Sequence, residues 1–526
     1  MSKTILPPRR LENRVFVTLL LVLMLTGGCL RFSHLPDKPV WFDESFTRLR
    51  ISGRDEHDDA NPALFTGLPI PPTAFEPFQQ ARPGSPWIGT VRGLARKEPQ
   101  HPPLYFLLAR LTSFLMGDSL LGMRWVSALA GALAVPAMVV LGLEVSSNRA
   151  IPLLAGALAA VSPLWIRFAQ DGRPYSLWLL LVILGHVAYL RLVRQPGRTA
   201  ALSYGVVMGL ALLTQLLSVL ALLAHGLHLI LSGGTRRKPL LRTYLGAATL
   251  GLLIISPWAV VLALKRSTAF ATTRHLLRPM PPGELLEHGL DSLNTLFTAW
   301  PRVHGPLGPV VSLLPLLAVV GLFLVALRRR NVEQRLFVVL ITLVPVLPFF
   351  AADLLLGGQR SMQAKYLLPG SIGVLLALAQ WLVLEGRRRI VQVLTVCLLS
   401  LALASSLVML ASPTWWGLSQ VDVELGHLLR NSDRPQIVAD GSFGVLAMLS
   451  HQLRGHGSFV LTRSPETLSL QPHEGERFAY QPSDELKRAL TIRLGCRLER
   501  VYAKPREDQT LYELYRIAAC PRLPIT

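Results

Sequence analysis

The chain has 526 residues, 51% of them hydrophobic, and a net charge of +21. Apolar runs of about twenty residues recur from Val15 to Leu410, which excludes a soluble globular domain and reads as a polytopic helical membrane protein. The charge does not describe a nucleic-acid binder: residues 413–526 hold 14 Lys/Arg against 13 Asp/Glu, so +20 falls before them, mostly in short loops between apolar runs.

In chain order, Arg9, Arg10 and Arg14 precede an apolar run ending near Leu30, as in a signal peptide. The many runs that follow favour an uncleaved first helix. The predicted spans are 14–30, 123–143, 150–166, 175–193, 201–214, 216–232, 243–264, 307–327, 335–356, 366–384 and 389–410, eleven in all. With the N-terminus in the cytoplasm, Arg191, Arg194 and Arg198 fall inside. So do Arg236–Arg242, Arg328–Arg335 and Arg387–Arg389, and the C-terminal segment then lies outside. Residues 102–117 are apolar but short, with Arg110 in the middle. Counting them as a span would invert every later loop, and a mid-membrane Arg costs about 2.5–3.5 kcal/mol on insertion scales. They read as a helix lying in the outer interface.

Residues 1–412 therefore form a membrane module with outer loops at 31–122, which holds interfacial helices, and at 265–306. Residues 413–526 form a small outer α/β domain: strand-like Gln436–Ala439, helix-like Phe443–Leu453, strand-like Ser458–Thr462, and two strands around a turn at Pro505–Gln509. Cys496 and Cys520 both fall there, where a disulfide or two free thiols are open alternatives. Cys29 and Cys397 lie in apolar runs and read as packing residues.

Four polar features stand out. Trp41-Phe42-Asp43-Glu44 places two carboxylates behind two aromatics soon after the first span, although Asp43 also suits the N-cap of a helix starting at Glu44. His101-Pro102-Pro103-Leu104-Tyr105-Phe106 opens the interfacial helix, proline fixing its start. Gln170-Asp171-Gly172-Arg173-Pro174-Tyr175 puts a cation in a short outer loop, and Arg360 and Lys365 repeat the exception. Such cations suit an anionic ligand at the membrane surface or lipid headgroups. His225 and His228 share a helix face; without an accompanying carboxylate or cysteine, helix–helix hydrogen bonding is preferred to a metal pair. Asp55–Asp59 reads as a solvated acidic face.

The acidic pair, HPPLYF, QDGRPYSL and KYLLPG, in that order, resemble the GT-C membrane glycosyltransferases, in the branch of protein O-mannosyltransferases and lipid A aminoarabinose transferases. The likeness is strongest over Trp41–Leu231, with an echo at Lys365–Gly370. It implies Asp43 as the catalytic carboxylate supported by Glu44, and His101 and Tyr105 shaping the pocket floor. Asp171, Arg173, Tyr175, Arg360, Lys365 and Tyr366 become donor-phosphate or substrate residues. Two departures bear on substrate: Ala169 replaces a Ser, and Lys365 stands where Arg is common, keeping charge but losing bidentate phosphate binding.

The implied reaction moves a sugar from a polyprenyl-phosphate donor to a hydroxyl of a lipid, protein or glycan acceptor. Charge developing on phosphate is answered by fixed cations, and a general base takes the hydroxyl proton. Direct displacement inverts the anomeric carbon. No metal-ligand cluster is legible, and a divalent-cation requirement stays open. A transporter, or a non-catalytic assembly protein of the same fold, are the competing readings.

Overall fold

The computed structural model describes residues 9–81, 84–232, 237–281, 332–414, 419–505 and 511–518, with positions 283–285, 292, 294–298, 321 and 520. The predicted span 307–327, apart from residue 321, and part of the 265–306 loop lie outside these residues. The chain divides into a helical unit (1–35, 94–109, 123–412) and a sheet unit (36–93, 110–122, 413–526).

Among the described residues of the helical unit, six helices are long and apolar enough to cross a membrane, within Arg9–Phe32, Ser119–Val145, Tyr175–Arg194, Arg237–Leu264, Ala364–Leu384 and Arg389–Ala411. Two further predicted spans are bent pairs. Ala150–Val161 meets Pro163–Gln170 at 55°, where Pro163 follows the extended Ser162. The predicted 335–356 span divides into Val332–Leu343 and Leu347–Leu356, bent by 49° around Pro345. Arg198–Thr214 and Leu216–Ser232 are shorter apolar helices.

Small residues let these helices approach. A side chain at Gly205 would meet the Ala247 carbonyl at 2.6 Å, and one at Gly209 would meet Ile254 at 2.6 Å. This Gly-x-x-x-Gly pair seats Arg198–Thr214 against Arg237–Leu264. His225 and His228 serve helix contacts as read from the sequence: His225 Nδ1 is 2.8 Å from the Tyr204 hydroxyl and its Nε2 is 2.8 Å from His186, while His228 Nδ1 is 2.6 Å from the Tyr189 hydroxyl. Cys29 and Cys397 are free thiols on exposed helix faces, not packing residues.

Among the described residues the sheet unit holds six strands: β1 (Thr66–Ile70), β2 (Gln436–Ala439), β3 (Ser458–Thr462), β4 (Arg477–Tyr480), β5 (Arg497–Pro505) and β6 (Leu511–Ala518), ordered β1-β3-β2-β4-β6-β5. β2 pairs in parallel with β3 and β4; β1 is antiparallel to β3, and β4–β6 and β5–β6 are antiparallel. β2, β3 and the Phe443–Leu453 helix keep the bounds read from the sequence. The two strands read at the end are present, but β5 takes in Pro505 of the expected turn and β6 runs on to Ala518. The sequence reading missed β4 and β1; the 31–122 loop contributes β1, so loop and tail build one sheet. Phe46, Phe75 and Phe78 of that loop stack edge-on or tilted around Phe443 at 5.9–6.4 Å, forming the core beneath the sheet. Cys496 and Cys520 are disulfide-bonded.

The Leu104–Met116 helix is 13 residues long, about 20 Å at 1.5 Å per residue and short of a hydrocarbon core about 30 Å thick. Arg110 is buried but satisfied: it donates to Thr90 Oγ1 at 2.8 Å and to the Ser85 carbonyl at 2.7 Å, and lies over the Trp87 ring at 5.2 Å.

Candidate active site

In the helical unit, the turn Asp171-Gly172-Arg173 follows the Pro163–Gln170 helix and precedes Tyr175–Arg194. The buried Gln170 amide fastens the start of this turn, donating to the Leu30, Arg31 and Ser33 carbonyls at 3.2, 3.3 and 2.6 Å. Those carbonyls lie at the end of the Arg9–Phe32 helix, so the turn is tied to where the chain leaves its first span. Within the turn, Arg173 N–H donates to the Asp171 carbonyl at 2.7 Å. Both side chains are buried, and Arg167 lies within electrostatic reach of Asp171.

Arg173 Nη2 stands 3.2 Å from His101 Nε2, and the Arg173 carbonyl accepts from Ser127 Oγ at 3.0 Å. Tyr105, fully buried, donates to the Met123 carbonyl at 2.9 Å and lies 3.2 Å from Ser127 Oγ. The sequence offered no signal for Ser127, a small hydroxyl inside an apolar run.

Lys365, at the start of Ala364–Leu384, is held between two rings, its Nζ 5.6 Å from Tyr175 and 5.8 Å from Tyr366. Such contacts are worth about 0.5–2 kcal/mol and help to place the ammonium. Tyr366 in turn stacks on Phe349 at 4.9 Å. Because Tyr175 is two residues beyond Arg173, the Lys365–Tyr175 contact joins both predicted cations in one neighbourhood. Trp165 Nε1 donates to Ser371 Oγ at 2.9 Å and ties the Pro163–Gln170 helix to Ala364–Leu384.

Arg360 has a different setting from the one the sequence suggests. It pairs with Asp353 at 2.7 Å and donates to the Gly357 carbonyl at 2.9 Å, while the second Asp353 oxygen accepts from Ser361 N–H at 2.6 Å. Asp353 was missed because it is one acid in the predicted 335–356 span. The pair braces the turn before Lys365.

In the sheet unit, Asp43 and Glu44 occupy the first turn of Phe42–Ser52, where the exposed N–H groups favour negative charge. The helix begins two residues earlier than the capping alternative requires: Trp41 is the N-cap, and Asp43 lies inside the helix. Glu44 is fully buried, whereas Asp43 is half-buried, so Asp43 is the carboxylate of the two that solvent reaches. Among the described residues, no three His, Cys, Asp or Glu side chains gather as a metal-ligand set.

Membrane-length helices in one unit and a small mixed sheet in the other define a polytopic membrane protein with an α/β appendage. Its fold is that of the GT-C glycosyltransferases. Residues 100–261 match the family described as dolichyl-phosphate-mannose-protein mannosyltransferase. The structure resembles ArnT from Cupriavidus metallidurans in the apo state, at 12% identity and TM-score 0.54, over 98% of this chain and 99% of that one. ArnT bound to undecaprenyl phosphate gives 12% identity and TM-score 0.52 over the same shares. The Archaeoglobus fulgidus oligosaccharyltransferase in complex with zinc and sulfate matches at 11% identity and TM-score 0.50, over 94% of this chain and 72% of that one. No curated protein sequence matches the chain.

Proposed function

We propose that this protein transfers a sugar from a polyprenyl-phosphate donor to an acceptor hydroxyl at the outer face of the cytoplasmic membrane, with inversion. The N-terminus is then cytoplasmic and the sheet unit outside. The observation that carries this reading is the fixing of Arg173 and Lys365 in one neighbourhood of the helical unit, braced by His101, Tyr175 and Tyr366. Two preorganised cations suit a phosphate whose charge grows as the anomeric bond breaks. Undecaprenyl phosphate in the similarly folded ArnT supports a lipid-borne donor.

The chemistry needs few further parts. Polyprenyl phosphate is a good leaving group, so no acid need protonate the departing oxygen. Asp43 takes the acceptor proton, and Glu44, buried in the same helical turn, supports it. Base catalysis of this kind is worth about 10²–10⁴-fold. Arg360 is left out of the donor set because Asp353 holds it.

The test is mass spectrometry of surface glycolipids and glycoproteins in a deletion strain complemented with wild type or Asp43→Asn. Wild type restores a missing sugar and Asp43→Asn does not. Full restoration by well-expressed Asp43→Asn refutes the assignment of the base, and an unchanged glycan profile on deletion refutes the transferase reading.

A further inference from the structure

Arg173 is held at its side chain by His101 and at its main chain by Ser127, which Tyr105 touches. Arginine carries only donors, so the 3.2 Å contact from Arg173 Nη2 requires a lone pair on His101 Nε2. The imidazole is then neutral, with its hydrogen on Nδ1. An imidazolium would set two like charges 3.2 Å apart and leave no acceptor. At the main chain, Ser127 holds the Arg173 carbonyl and Tyr105 touches Ser127. Pro102 and Pro103 stiffen the chain between His101 and Tyr105.

The geometry points to His101 as a positioning residue: a neutral Nδ1–H imidazole whose Nε2 lone pair aims the Arg173 guanidinium, rather than part of a pocket floor. This deepens the proposed function, since it rests on Arg173 as a donor-phosphate cation; the hydrogen bond itself does not depend on that reading. In this role His101 acts through Arg173.

Two measurements on the full chain in lipid test it. The first is nitrogen-15 NMR of protein labelled at its 13 histidines, the His101 signal being the one lost in His101→Gln. A neutral ring with unprotonated Nε2 is expected at neutral pH, reverting towards the Nε2–H form in Arg173→Leu. An Nε2–H ring or an imidazolium in wild type overturns the proposal.

The second is transfer kinetics. His101→Ala should lower kcat/KM for the donor about tenfold or more, as for a lost hydrogen bond to a charged group. His101→Gln, which keeps an acceptor, should recover most of that loss. On an Arg173→Lys background His101→Ala should cost little more, and additive losses overturn the proposal. The expected tautomer in a chain without transfer activity sinks the proposed function and leaves the positioning contact standing.

Discussion

Replacing Arg360 with Met, alone and together with Asp353→Asn, separates a structural brace from a substrate cation. The Asp353 side chain is fully buried and that of Arg360 is 20% exposed. Stranding one member of a buried ion pair costs about 3–5 kcal/mol, and the partial exposure of Arg360 selects the lower end. Arg360→Met should therefore destabilise the chain by about 3 kcal/mol, lowering the apparent melting temperature of the detergent-purified protein by several degrees. Adding Asp353→Asn removes the stranded charge while keeping an acceptor for Ser361 N–H. It should return stability to within about 1 kcal/mol of wild type. The donor KM of the double variant should then match wild type. If the double variant melts like wild type but its donor KM is raised tenfold or more, Arg360 contacts the donor itself and the brace is refuted. Unchanged melting of Arg360→Met would refute it equally.

Two further outcomes concern the sheet unit. The Cys496–Cys520 bond closes a loop of 24 residues, so Cys520→Ser should destabilise this unit by about 3 kcal/mol, read by hydrogen exchange at β5 and β6 in the full chain. The Tyr502 hydroxyl, followed by Lys504, holds the Glu424 carboxyl below its usual range despite opposing burial. A carboxylate depressed on folding stabilises above its unfolded pKa, and that contribution is lost as pH falls through the folded value. Acid unfolding of the unit should therefore be less steep in Glu424→Gln, and an unchanged profile would contradict the assignment.

Local signals made much of this chain legible. β2, β3 and the helix between them have the predicted bounds because each is a short apolar run closed by Gly, Ser or Arg-Gly punctuation. The resemblance drawn from four short motifs agrees with the GT-C fold. What stayed hidden depends on distant partners. β1, Thr66–Ile70, contains Pro69 and becomes a strand because β3 lies beside it. The bends at Ser162 and Pro345 are equally hard to read, since Pro136, Pro257 and Pro369 sit in helices that continue through them. The role of Arg360 depends on Asp353, and a lone acid in an apolar run does not name its counter-ion.

The pairing of Thr66 with Thr462 has a consequence for biosynthesis. One edge strand leaves the ribosome near the beginning of the chain, and its partner only after every membrane helix has been made. Until then β1 has no template, and the loop residues that pack on Phe443 lack that core. A chain stopped before Phe443 thus leaves the loop's share of that core uncovered. The sheet edge begun by β1 is completed only when β3 arrives.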